Sequence, residues 1–200
     1  MYPTFKSAID NSAANDTLYI KDDVSISNGE TVSINSGTIL LFDANVDLDV
    51  SGTLTVGSNV KFTKLGSSNW SGIDINSTGV FDVDGNITIQ NATTGLTFNE
   101  GGTLSNGSNE LTVQDCTTGL YVYKCSPTVQ NISFDDNTTN AVEIEYSTAS
   151  LTLQKSEVHD TDDVTDHAIY VNNGADVNLE DSELYEVTTD AIVLEMAAAL

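Results

Sequence analysis

Two groups of side chains in this sequence could do chemistry. Asp160, Asp162, Asp163 and Asp166 lie between His159 and His167, so both histidines of the chain and four carboxylates fall within nine residues. Hard carboxylate oxygens at these four aspartates suit Ca²⁺, and paired aspartates beside a histidine can move protons to and from a substrate. The segment lacks the glycine turn of a known Ca²⁺ loop and matches no catalytic motif. It therefore reads first as an acidic solvated loop, with Ca²⁺ as the one cofactor candidate and no catalytic residue assigned. The second group is aromatic: Tyr121, Tyr123 and Tyr170, with Glu143 and Glu145 at matching places in neighbouring segments. Exposed tyrosine rings beside carboxylates and amides are the chemistry of carbohydrate binding, in which rings cover pyranose faces and polar groups take hydroxyls. The competing explanation is that tyrosine is simply a good strand former on an exposed sheet.

Both groups are positioned by a repeat. A corner recurs as Thr93-Thr94-Gly95-Leu96, Thr117-Thr118-Gly119-Leu120, Thr138-Thr139-Asn140-Ala141-Val142 and Thr188-Thr189-Asp190-Ala191-Ile192. Alternating apolar pairs follow: Leu96 and Phe98, Leu120 and Val122, Val142 and Ile144, Ile169 and Val171, Ile192 and Leu194, with Ile73 and Ile75 ahead of them. Period-two alternation puts each pair on one face of a short strand. The strand starts lie 23, 24, 22, 27 and 23 residues apart, and further alternating pieces fill each interval. A supersecondary unit repeated at so constant a spacing predicts a solenoid rather than a sandwich of hairpins. Helical spacing is almost absent, and Thr, Val, Ile, Asn and Gly dominate. Gly95, Gly119, Asn140 and Asp190 are residue types that accept the positive φ of a sharp bend, and they are assigned to it here. Ala92, Cys116, Asn137 and Val187 should stack in register. Tyr121, Glu143 and Tyr170 then share one outward slot of successive strands, and Tyr123, Glu145 and Asn172 share the next. Tyr146 and Phe98 fall near comparable rungs, and Trp70 reads as a packing residue at a widened bend.

The expected fold class is all-β, a parallel β-helix of about 8–9 coils with a short N-terminal capping helix. Residues 1–15 read as the cap, 16–196 as the β-helix and 197–200 as a vector-derived tail. The cap carries a helical stripe of Phe5, Ala8, Ile9 and Ala13. The opposite end shows no equivalent, which predicts a fragment of a longer protein whose open ladder invites end-to-end homo-oligomers.

Charge narrows the partners. The net charge is −24, from 30 acidic and 6 basic residues, with no Arg and six scattered Lys. Nucleic-acid binding needs clustered positive charge to replace phosphate counterions, so that partner is excluded, and anionic membrane surfaces are disfavoured for the same reason. No apolar run approaches the roughly 20 residues that span a bilayer, so membrane insertion is not expected. No signal peptide is recognisable; an exported protein would have lost it. Cys116 and Cys125 are the only cysteines. Cys116 shares a slot with Ala92 and Val187, which favours a small buried side chain; a bridge between the two cysteines stays open, and a zinc site would need more ligands.

The helix leading into Asp16-Thr17-Leu18-Tyr19-Ile20, the runs Thr38 to Phe42 and Val50 to Val56, and Asn69-Trp70-Ser71-Gly72-Ile73 resemble secreted right-handed parallel β-helix proteins. These are pectin-lyase-like in fold and frequent in large bacterial surface proteins. The resemblance implies a right-handed coil and a secreted or cell-surface, bacterial location. It leaves activity open, because the same coil carries lyases, hydrolases, epimerases, tailspikes, adhesins and spacers. Lyases of this fold set an Arg or Lys near acidic Ca²⁺ ligands, and the hydrolases use Asn-Thr-Asp, Asp-Asp, His-Gly and Arg-x-Lys. Only Asp-Asp pairs such as Asp162-Asp163 occur here. The expectation is thus a non-catalytic stalk or adhesion segment touching a polysaccharide or another surface protein; the alternative is a polysaccharide-active enzyme whose catalytic residues lie partly outside this segment.

Overall fold

A computed structural model describes residues 4–159, 167–187 and 190–195. The chain is a parallel β-solenoid of about 7 turns, with three strands to a turn. The first sheet stacks eight strands: Thr17–Ile20, Ile39–Phe42, Lys61–Lys64, Ile87–Gln90, Leu111–Gln114, Ile132–Asp135, Glu157–His159 and Glu183–Tyr185. The second stacks eight more: Val24–Ile26, Asp47–Val50, Gly72–Ile75, Thr94–Asn99, Thr118–Tyr123, Asn140–Glu145, His167–Asn172 and Asp190–Leu194. Seven turns replace the expected eight to nine because several corners are long: Lys61 pairs with Thr88 and Val142 with Ile169, 27 residues on in each case.

The third face is broken into two ladders. Thr31–Ile34, Thr53–Val56, Val80–Val83 and Thr103–Ser105 form one, and Thr128–Gln130, Ser150–Gln154 and Asp176–Glu180 the other. Pro127 stands at the entrance to Thr128–Gln130. It has no N–H to offer the preceding coil, which accounts for a ladder that restarts at this strand.

Alternation turns every other residue into a single continuous core. Leu40, Phe62, Ile73, Leu96, Leu111, Leu120, Val142, Leu151 and Ile169 are fully buried, and outward neighbours carry the polar side chains. Trp70 is buried as expected, stacked on Phe42 at 4.2 Å between ring centres. Phe98 is buried as well and so does not belong to the outward aromatic set. Ile192 and Leu194 continue the inward column of the second sheet but are 41% and 68% exposed.

The cap is helix α1 (Phe5–Asp10), shorter than the stripe that extended to Ala13. The Thr4 side chain accepts a hydrogen bond from the Ser7 amide at 3.1 Å, satisfying one of the helix's orphan donors. Phe5 and Ile9 drop into the end of the core against Val24–Ile26 and Thr31–Ile34. No described helix is long and apolar enough to cross a membrane.

The corners differ from expectation in an informative way. Gly95, Gly119 and Asn140 are not where the chain takes positive φ, and the bend before Asp190 lies outside the described residues; Asn91, Asp115, Asp136 and Glu186 take it instead. Two further columns of such residues mark the other corners: Glu100, Lys124, Tyr146 and Asn173, then Asn131, Lys155 and Asp181. Many turn their N–H toward the following coil: Asn91 donates to the Gln114 carbonyl, Glu100 to Tyr123, Asp115 to Asp135, Asn131 to Gln154 and Lys155 to Glu180. A left-handed residue thus keeps the interturn ladder hydrogen-bonded through the bend, which offsets its conformational cost.

Ala92, Cys116 and Asn137 do stack. The Ala92 carbonyl accepts from Thr117, and the Cys116 amide donates to Asn137 Oδ1 at 3.1 Å. Asn137 is buried and its Nδ2 donates to the Val113 carbonyl at 3.1 Å, so both ends of its amide are satisfied. Cys116 and Cys125 are both free and buried, which settles the open disulfide. Burial pushes the Cys116 thiol up to about 12, so it packs rather than reacts.

Candidate functional site

The second sheet brings the sequence-assigned aromatic residues together. Tyr121 pairs with Glu143 and Glu143 with Tyr170, while Tyr123 pairs with Glu145 and Glu145 with Asn172. Both outward slots are therefore as the repeat placed them. The strands hold Leu120, Val122, Val142, Ile144, Ile169 and Val171 inward, and that alternation forces the intervening side chains out.

These side chains form a network. The Tyr121 hydroxyl donates to Glu145 Oε2 at 2.5 Å, Asn173 Nδ2 donates to Glu145 Oε1 at 3.2 Å, and Asn140 Nδ2 to Glu143 Oε2 at 3.3 Å. The Tyr170 hydroxyl donates to Glu195 Oε2 at 2.9 Å. Burial, then the Glu145 carboxylate, raises the Tyr121 phenol above its ordinary range, so it stays a donor. Tyr121 and Tyr123 ring centres lie 6.2 Å apart, and Tyr123 meets Tyr146 edge-on at 5.5 Å. Lys124 Nζ sits 4.6 Å from the Tyr123 ring centre, 4.8 Å from that of Tyr146 and 3.9 Å from Glu100 Oε1. Sequence reasoning missed Lys124 and Glu100, because both lie beyond the strand ends. The signal was their spacing: Glu100, Lys124 and Tyr146 each follow a second-sheet strand directly.

The acidic segment Asp160, Asp162, Asp163 and Asp166 lies outside the described residues, and so does its proposed Ca²⁺ site. His159 ends a first-sheet strand and His167 begins a second-sheet strand. Among the described residues no group of three or more His, Cys, Asp or Glu is placed to hold a metal ion.

His159 has another setting that the sequence did not announce. Its Nδ1 faces Asp135 Oδ1 at 2.9 Å from the coil before, and its Nε2 faces Glu186 Oε2 at 2.5 Å from the coil after. The ring stacks on Tyr185 at 4.8 Å, and the Tyr185 hydroxyl donates to Glu157 on His159's own strand. The Glu186 contact, then Asp135, raises the imidazole above its ordinary value near 6.5. A histidine whose folded value is raised adds stability in full below its unfolded value and loses it as pH rises through the folded one. His159→Gln is therefore expected to cost more at about pH 5.5 than at about pH 8.5, by up to about 1 kcal/mol, the range of a surface pair. Thermal melts of both proteins at the two pH values check this; an equal loss at both would remove the charged clasp.

The outward face of the first sheet holds two shallow clefts of about 390 and 330 Å³ that share Glu110. Lys61, Thr88 and Thr112 line one, and Ser133, Lys155 and Glu157 the other, all outward or corner positions of successive coils. Neither contains a residue singled out from the sequence.

No protein family, curated protein or solved structure matches the chain. Of the resemblance expected from the sequence, the architecture is what the structure shows: a parallel β-solenoid.

Proposed function

We propose that this chain is a rigid, non-catalytic segment of an exported or cell-surface β-helix protein, a stalk or adhesion module that meets glycans through the outward face of its second sheet. The observation that carries the reading is the in-register ladder of Tyr121, Glu143 and Tyr170 beside Tyr123, Glu145 and Asn172. Its carboxylates already hold tyrosine hydroxyls and asparagine amides, which orients them as fixed acceptors. Such a surface suits binding, where rigid aromatic area and preset polar groups reduce the ordering cost of a ligand.

Tyr123→Ala is expected to weaken retention on immobilised polysaccharide by about two- to tenfold, the worth of one aromatic contact, without changing the circular dichroism of the fold. Unchanged retention would sink the aromatic face as the contact surface. The same polysaccharides, acidic and neutral, are to be assayed for product release; unsaturated or new reducing ends would replace the structural reading with an enzymatic one.

A further inference from the structure

We infer that the Tyr123–Tyr146 pair is an ammonium-binding cage, held in this chain by its own Lys124, and that the saccharide this face takes is an amine-bearing one. The inference rests on the carbohydrate reading above and narrows it to a ligand class. Lys124 Nζ lies within cation–π distance of both rings, with Glu100 completing its surroundings. Contact with Tyr123 holds the ammonium in its charged form, above the ordinary lysine range. The site therefore already displays what it accepts: a primary ammonium between two tyrosines beside a carboxylate.

The surroundings extend that preference beyond the cage. Glu145 and Glu143 lie on the next coil in the two outward slots beside Tyr123 and Tyr121, and Glu195 lies beyond Tyr170. With a net charge of −24 and no Arg, an anionic polysaccharide meets repulsion over the whole approach, whereas a chain of amino sugars meets attraction. Asn172 and Asn173 on the adjoining coil provide amides for hydroxyls. A lysine-rich peptide would supply the ammonium but no saturated ring for the tyrosines to cover, so it serves as the control rather than the occupant.

Lys124 is then an internal competitor. Lys124→Met removes the ammonium while keeping an unbranched side chain, and it should raise affinity for a glucosamine hexamer by about fivefold, the scale of one exposed cation–π contact. Calorimetric titration should show the wild-type protein binding that hexamer more tightly than the fully N-acetylated one. It should also show Tyr146→Leu cancelling the gain in the Lys124→Met background. Lys21→Met, an equal charge change far from the cage, should bring no gain, and a lysine hexamer should gain nothing from Lys124→Met. Three results overturn the inference: no gain from Lys124→Met, an equal gain from Lys21→Met, or an equal gain for the lysine hexamer. Binding of both saccharides without any Lys124 effect overturns the cage and leaves the carbohydrate reading standing. Binding of neither saccharide by any variant overturns both.

Discussion

Trp70→Ala is expected to destabilise the protein by about 3–5 kcal/mol, the cost of emptying a large aromatic site in a packed core. Trp70 is fully buried, and its ring lies 14° from parallel to Phe42 at 4.2 Å. Phe42 in turn neighbours Phe62, and Phe62 meets Phe81 edge-on, each at 6.4 Å. The indole Nε1 also donates to the Gln90 carbonyl at 2.9 Å, and the Trp70 backbone bridges to Ala92. One side chain thus ties together three successive coils, and its loss should open them as a unit. Trp70→Phe keeps the stack and loses the hydrogen bond, so it should cost about 1–2 kcal/mol plus part of the packing. Hydrogen exchange followed strand by strand is the appropriate measurement, because a stack of repeats need not unfold in one step. Protection lost evenly along the whole chain, with none concentrated around Trp70, would contradict the local account.

The second large effect is expected at Gly119. A Cβ there would lie 2.5 Å from the Ala141 carbonyl oxygen and 2.8 Å from Phe134 Cδ1, with Asn137 Nδ2 at 3.2 Å. The first of these is backbone of the adjoining coil and cannot rotate away. Gly119→Ala is therefore predicted to cost at least about 1–3 kcal/mol through overpacking, and Gly119→Val to prevent the coils from closing. Ala141, the next residue in the same column, accommodates its own methyl group, so Ala141→Gly should cost no more than about 1 kcal/mol. Denaturant melts of the three variants check the order. A Gly119→Ala protein as stable as the parent would show that the coils have slack where the structure has none.

The same position shows how the sequence could be read and where it misled. The intervals between Ile73, Leu96, Leu120, Val142, Ile169 and Ile192 are the interturn register itself, because each pairs directly with the next. Burial selects strongly for that periodicity, so it is legible. The corner was aligned less well. Leu111 pairs with Ile132, 21 residues on, but Leu120 pairs with Val142, 22 residues on. One additional residue therefore sits in the third corner, and it moves Asn140 into the column of Thr94 and Thr118, with Ala141 and Ala168 in the column of Gly95 and Gly119. What the corners share is smallness for close approach, not positive φ. The left-handed positions escaped detection because Glu100, Lys124, Lys155 and Glu186 carry no local preference for that conformation; the interturn hydrogen bonds impose it. The Asp135–His159–Glu186 clasp and the Lys124 cage were hidden for a related reason. Each joins residues from two or three coils, and only the register makes them neighbours.

Forward-donating corners carry a consequence for how such a chain can change size. Asn91, Asp115, Asn131 and Lys155 each offer an N–H to the coil ahead, while Thr93, Thr117 and Thr138 each donate to the coil behind, so successive coils meet through recurring donor–acceptor pairs at equivalent corners. A coil copied in tandem finds a matching partner on both sides, and so does the gap left when one is removed. Length is then quantised, at about 4.8 Å per coil, and a gene could lengthen or shorten the rod by duplication or deletion without redesigning a joint. The increment must be a whole coil: a single residue gained within a strand would reverse which side chains face the core, whereas the third corner has already absorbed one.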